Sequence, residues 1–275
     1  MKSSVTISLV PEARGGPFVF WDDLAAAMEK AALLGFDGVE IFPASADDLD
    51  VAEVMRLLQQ HKLELAAIGT GAGWAKHKLR LTDPDPEIRK RARQFAAKLV
   101  DLAGGLGAPA IIGSMQGRWG DGVTRDQAIG WLREAFDELA VRASSHNIIL
   151  LYEPLNRYET NVISRIADAL DFLASLRAKN VKLLCDLFHM NIEESDPPAA
   201  LRGAGSHVGH IHFVDSNRLA VGLGHTNIPP IIQALREIGY SGFLSAEALP
   251  LPDSETAARQ SIAAFRRWVG SGSAN

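Results

Sequence analysis

Four polar residues stand at the ends of four successive apolar runs. Glu153 follows residues 148–152, Asp186 follows 181–185, His212 lies toward the end of 208–214, and Glu247 follows 243–246. The spacings between them are 33, 26 and 35 residues. Each is about one strand-plus-helix unit, so each side chain falls at the same level of a successive strand. One such residue alone would suit a helix cap or a surface ion pair; four in four consecutive units point to a shared site. Three carboxylates brought close together raise one another's pKa, because each negative charge opposes the next. A divalent cation removes that repulsion. A mixed oxygen and nitrogen donor set suits Mn2+, Mg2+, Co2+ or Fe2+ about as well as Zn2+, and no thiolate is at hand to favour zinc. The expected cofactor is one divalent metal ion, with Mn2+ first among these.

The elements that must position these groups follow an alternating pattern. Short apolar runs at 5–9, 39–42, 63–68, 110–113, 148–152, 181–185, 208–214 and 243–246 have the length and composition of parallel strands buried on both sides. Between and after them, residues 21–34, 47–61, 85–106, 125–145, 164–176, 198–203, 228–238 and 254–269 read as helices. Gly35 and Gly239 are stop signals, Asp47 or Asp48 is a candidate cap, and Pro86 sits near a helix start, where proline is tolerated. Eight such repeats build either a closed barrel or an open doubly wound sheet. The open sheet would announce itself by a glycine-rich phosphate loop that opens a helix after an early strand. Gly69-Thr70-Gly71-Ala72-Gly73 follows the third run, but no helix is expected directly behind it, and it reads as a flexible loop at the site. The expected fold is therefore α/β, a (β/α)8 TIM barrel over residues 1–269, with 270–275 as a disordered tail. In such a barrel chemistry collects at the carboxyl ends of the strands.

Composition narrows the function classes. The 275 residues carry a formal net charge of −5, which gives no electrostatic footprint for nucleic acid. A single cysteine, Cys185, cannot form an internal disulfide and reads as a buried strand residue in a reducing, cytoplasmic protein. No stretch approaches the roughly 18 apolar residues of a membrane span, and no secretory leader is visible at the N-terminus. His210 and His212 are expected to face different ways; His212, nearer the strand end, is assigned to the site, and His210 stays open between a supporting contact and a packed residue. Trp119, Trp74 and Phe42 follow the fourth, third and second runs and are the candidates for a pocket wall. Arg14, Lys76 and Arg118 are early-loop cations that a phosphate would need, and each reads first as a solvated charge.

The second half of the chain resembles a known family. Glu153-Pro154-Leu155-Asn156-Arg157-Tyr158-Glu159-Thr160 is similar to the segment after strand five of D-tagatose 3-epimerases and their relatives. Asp186 through Glu194, His212 through Arg218 with Gly222 through Thr226, and Ser245-Ala246-Glu247 resemble the family's segments at strands six, seven and eight. The group is the sugar phosphate isomerase/epimerase, or xylose isomerase-like, barrel superfamily. The specific likeness covers 153–247; the first half matches only through Gly35-Phe36-Asp37-Gly38-Val39-Glu40 and Leu106-Gly107-Ala108, and Pro11 through Gly16 stands where the epimerases place aromatic residues. The resemblance implies a metal held by Glu153, Asp186, His212 and Glu247, with Glu153 and Glu247 also exchanging a proton on two faces of a carbon next to a ketone. His189 and Arg218 are implied as contacts to substrate oxygens, and Glu159 as a substrate-hydroxyl or supporting partner. The implied activity is ketose 3-epimerisation on a small sugar, through an enediolate that a Lewis acid stabilises, in a homodimer or homotetramer. A lyase or epimerase of 3-keto-glycosides, an aldose–ketose isomerase of hydroxypyruvate or inosose type, and a non-catalytic sugar-binding barrel stay open. A barrel endonuclease would need more histidines and three metals, and a single ligand set is visible.

Overall fold

In the computed structural model, which describes residues 1–21 and 23–270, eight parallel strands form the barrel. They are β1 (Lys2–Ser8), β2 (Gly38–Phe42), β3 (Glu64–Gly69), β4 (Ala110–Ile112), β5 (Leu150–Tyr152), β6 (Val181–Asp186), β7 (Val208–His212) and β8 (Phe243–Ala246). Each pairs with the next in sequence, and β1 pairs with β8 from Lys2↔Phe243 to Val5↔Ala246, which closes the ring. A two-residue strand, Phe20–Trp21, adds to the outer part of β1. Closure leaves no open edge on β8 and settles the choice between barrel and doubly wound sheet.

Ten helices accompany the strands among the described residues: α1 (Leu24–Leu34), α2 (Val51–His61), α3 (Ala72–Ala75), α4 (Pro86–Gly105), α5 (Arg125–Ser145), α6 (Ile166–Ser175), α7 (Leu187–Glu193), α8 (Pro197–Ala204), α9 (Ile228–Glu237) and α10 (Ser254–Trp268). Their starts are set by side chains that accept orphan backbone N–H groups. Asp23, Asp50, Asp85, Asp196 and Asp253 do this singly, and Thr124 with Gln127 forms a reciprocal capping box. Gly35 ends α1 in the left-handed conformation, φ 83°, a geometry that costs glycine least.

Several boundaries differ from the sequence reading. The first helix begins at Leu24, because Trp21 is spent on β1. Asp50, not Asp47 or Asp48, caps α2; residues 46–48 form a separate turn of 3-10 helix. A short helix does open inside the glycine-rich run after β3, at Ala72, and a full two turns follow β6 directly as α7. Most of the tail expected to be disordered, 271–275, lies outside the described residues.

The core has two parts. Alternate residues of each strand point outward to the helices, such as Val5, Ile7, Val39, Ile41, Leu150, Tyr152, Leu183 and Ile211. The others point into the barrel, where Ala67, Ile111, Leu151 and Leu184 form a small apolar plug. Because side chains on a strand repeat every two residues, the next inward positions above Leu151 and Leu184 are Glu153 and Asp186. The same step along β7 and β8 brings His212 above His210 and Glu247 above Ser245. The sequence periodicity thus carries four polar groups to the carboxyl end of the lumen. Among the described residues no helix is long and apolar enough to cross a membrane.

Candidate metal centre and its cavity

Glu153, Asp186, His212 and Glu247 converge there. One ligand atom from each lies within 4.8 Å of all the others, and all four residues are buried. His212 is the hub. Its Nδ1 stands 3.1 Å from Asp186 Oδ2, 3.3 Å from Glu247 Oε2 and 3.4 Å from Glu153 Oε1. One ring nitrogen can satisfy one oxygen, and Arg218, which also reaches Asp186 and Glu247, adds one positive charge against three carboxylates. Burial, together with Glu247 and Asp186, pushes the Glu153 carboxyl up to about 7, even though His212 pulls it down. Burial would push His212 down, but the carboxylates Glu247, Glu40, Asp186 and Glu153 outweigh it and hold the imidazole well above its ordinary value. The crowded carboxylates thus hold a proton that a cation at the same point would displace. Three oxygen donors and one nitrogen, buried and over-charged, fit a divalent ion.

The local chain explains how each donor is aimed. Asp186 serves two masters: Oδ1 accepts from the backbone N–H groups of Phe188 (2.7 Å) and His189 (3.1 Å) and so starts α7, which frees Oδ2 for the site. Its carboxyl is held well below the usual range, because Arg218, His189 and His212 overcome the cost of burial. Glu153 folds against Gly113, where a Cβ would meet Oε2, so any larger residue at 113 would have to move the carboxylate. Gln116 donates to the Glu153 carbonyl at 3.1 Å and is itself held by the Tyr152 hydroxyl.

A cavity of about 220 Å³ opens above the cluster, toward the small end for ligand pockets. Glu153, Glu247, His189 and Arg218 line its inner side, Glu159 stands half-exposed nearer the mouth, and Phe18, Phe42 and Trp74 line its outer side. His189 Nδ1 receives the backbone N–H of Asn156 at 3.3 Å, and a backbone nitrogen can only donate. That contact, with the Asn156 side-chain amide nitrogen 2.7 Å from the same Nδ1, favours hydrogen on Nε2, which lies 3.3 Å from Arg218 Nη1 and 3.8 Å from Glu153 Oε1. Burial pushes His189 down to about 4, so the ring is neutral near pH 7. Arg218 lies on the Phe188 ring and bridges Asp186 (3.1 Å) and Glu247. Its Nε is buried without a partner. The loop carrying it is knotted by Asp215, which accepts from the backbone N–H groups of Ser216, Gly222 and Thr226; against the cost of burial, these bonds pull its carboxyl down to about 2. Glu159 is anchored by Asn156 at 3.0 Å, at the cavity mouth.

Not every expectation about placement holds. Trp119 does not line this cavity: its indole donates to the Asn161 carbonyl at 2.6 Å, stapling two loops. Phe42 and Trp74 do line it. Arg14 stacks on Trp21, Lys76 pairs with Glu12 and Arg118 donates to the Tyr158 carbonyl, and none of the three faces the cavity. His210 and His212 face the same way, since residues two apart on a strand share a face. Both rings reach Glu40, which is fully buried. Glu40 was missed as a site residue, although an acidic side chain inside an apolar strand run is a usable signal. Phe18 was missed too; it lies just past Pro11 through Gly16 and packs on Phe42 at 4.5 Å.

Fold and site together define a closed parallel barrel with a candidate cation centre at the carboxyl ends of β5 to β8. The sequence profile described as xylose isomerase-like TIM barrel matches residues 28–268. A D-psicose 3-epimerase of Ruminiclostridium cellulolyticum is 32% identical over 242 residues, 84% of this chain and 81% of that protein. A 3-dehydro-D-guloside 4-epimerase of Escherichia coli is 28% identical over 243 residues, 85% of this chain and 90% of the relative. A crystal structure of D-psicose 3-epimerase in the presence of D-fructose superposes with a TM-score of 0.81 at 23% identity, covering 98% of this chain and 100% of the other, which speaks for the fold alone. The chain belongs to the xylose isomerase-like TIM barrel family.

Proposed function

We propose that the protein is a divalent-metal-dependent ketose 3-epimerase. The observation that carries this reading is the convergence of Glu153, Asp186, His212 and Glu247 on one point, in a chain about 30% identical to ketose 3-epimerases. A cation held by those four residues supplies Lewis acidity to the oxygens of the bound sugar. Mn2+ is the ion we favour, with Mg2+, Co2+, Fe2+ and Zn2+ as the comparison set.

The chain's own groups do the proton chemistry. Glu153 and Glu247 come from strands three apart, β5 and β8, and reach the cavity from different sides. One carboxylate takes the proton from the carbon beside the ketone, and the other returns a proton to the opposite face. The neutral His189 offers Nε2–H to the carbonyl oxygen as negative charge develops there. Arg218 offers its unpartnered Nε–H and its planar fork to a neighbouring oxygen. Glu159 accepts from a hydroxyl at the mouth, and Phe18, Phe42 and Trp74 cover the apolar face of the sugar. The lone Cys185 is buried, which supports a reducing compartment, the cytoplasm, as the place of action.

The test is turnover of free ketoses and of 3-keto-glycosides in D2O with each metal. The expected product is the C3 epimer carrying one deuterium at C3. Epimerisation that survives exhaustive chelation, product without solvent deuterium, or release of an aglycone would each overturn the reading.

A further inference from the structure

One carboxylate buried between β2 and β7 has no part in the chemistry above. Glu40 sits at an inward position of β2, fully buried, across the lumen from β7. Its two oxygens are divided between two histidines: His210 Nε2 lies 2.6 Å from Oε2, and His212 Nε2 lies 3.0 Å from Oε1. An ionised carboxylate can only accept, so both ring nitrogens must carry hydrogen. For a neutral His212 this decides everything else. With its one hydrogen on Nε2, the lone pair is on Nδ1, the nitrogen that faces Glu153, Asp186 and Glu247.

The opposite tautomer has a strong pull behind it. Three carboxylate oxygens within 3.4 Å of Nδ1 attract a hydrogen there, and an Nδ1–H ring has no lone pair to give. Something on the far side must hold the hydrogen, and Glu40 is the acceptor in place. His210 then has a reason to be polar in a packed lumen, since it binds the second oxygen of Glu40 and fixes the plane of the carboxylate. A carboxylate behind a ligating imidazole both orients the ring and raises its basicity.

We propose that Glu40, braced by His210, is a positioning residue that holds His212 as the Nε2–H tautomer and thereby sets the metal affinity of the site. This rests on reading the four-residue cluster as a metal centre. The test uses the full chain loaded with Zn2+, a diamagnetic probe. Zn2+ affinity is measured against a competing chromophoric chelator, stoichiometry by elemental analysis, and the His212 tautomer by long-range 1H–15N correlation with 15N-histidine. In Glu40→Gln the amide offers one acceptor and one donor to two rings, so His210 and His212 can no longer both keep Nε2–H. We expect an affinity about 10–100-fold weaker, an altered His212 pattern, and a melting temperature of the metal-free protein close to that of the parent. His210→Asn keeps Glu40 and removes only its brace, so it remains informative if Glu40→Gln does not fold, and a smaller loss of the same kind is expected. Unchanged affinity and an unchanged His212 pattern in both variants would overturn the role. Two Zn2+ per chain, one of them lost in Glu40→Gln, would instead make Glu40, His210 and His212 a ligand set of their own and also overturn it. Parent protein that takes up no Zn2+ would remove the metal centre, and this role with it.

Discussion

The two sides of the barrel mouth are built from different materials. Strands β5 to β8 end in Glu153, Asp186, His212 and Glu247, and the loops behind them add His189 and Arg218. The end of β2 and the segments after β1 and β3 bring Val10, Pro17, Phe18, Phe42 and Trp74, an apolar shelf of uncharged side chains. On the proposed reading, the charged half makes and breaks the C–H bond and the apolar half decides how the rest of the sugar lies. Chemistry and selectivity are thus separated around one ring, and each half can be perturbed while the other is watched.

The largest effect is expected from the charged half. Glu153→Gln and Glu247→Gln each keep size and remove a proton carrier, so epimerisation should fall by about 10²–10⁴-fold. Metal content measured on the same samples separates lost proton transfer from lost ligation. Either variant turning over at the parent rate would end the assignment of roles to that side. Gly113→Ala comes next and tests how sharp the division is, since Gly113 follows β4 but makes room for Glu153. A methyl there must displace the Glu153 carboxylate, and we expect metal affinity to fall by about 10–100-fold, the range seen when the support of a ligand is disturbed. An unchanged affinity would mean that Glu153 is free to sit elsewhere.

The same division decides what could be read from sequence. On the charged side the converging residues were legible, because acidic groups and a histidine recur at one-unit spacing just past apolar runs, and a two-residue period then aims them inward. On the apolar side little was legible. Phe18 reaches the cavity only because the loop after β1 turns back over the mouth and packs on Phe42, which no local pattern announces. Trp119 has the same composition cue as Trp74, yet the loop after β4 is tied to Asn161 and turns it away. Glu40 was hidden for a different reason: it sits in the middle of a strand rather than at its end, and its partners are 170 and 172 residues away. The closed fold was legible in eight repeats with no phosphate-type glycine loop opening a helix, whereas α3 and α7 were not, being too short to show a helical period.

A third effect follows from protons and the cation competing for the charged half. Glu153 and His212 both bind a proton more tightly in the folded, metal-free protein than in the unfolded chain. Their contribution to stability is therefore present at low pH and is lost as pH rises, for Glu153 through about 7. A cation needs both groups deprotonated. Below neutrality its dissociation constant should rise by about 10-fold per pH unit for each proton displaced. The rise in melting temperature on adding Mn2+ should accordingly be small at pH 5.5 and grow toward pH 8. A shift of equal size across that range would mean that the four residues carry no displaceable proton.

The smallest effect, and the one that sharpens the comparison most, belongs to the apolar half. Trp74 lies on α3 at the cavity rim, between Lys78 and Arg80, whose cationic groups stand 5.0 and 5.7 Å from its ring. It is 38% exposed, so Trp74→Ala should cost little stability. On the proposed reading, Trp74 moves no proton and holds the sugar alike in the ground and transition states. Loss of such uniform binding raises KM and leaves kcat alone. We expect KM for a ketose to rise by up to about 10-fold, within the range a lost apolar contact allows, with kcat within a factor of about two. Phe42→Ala should do the same at a larger cost in stability, because its ring also packs on Phe18 and fills the space over Gly69. If kcat fell with KM unchanged, the shelf would be holding the substrate in a reactive posture, and selectivity and chemistry would not be separate after all.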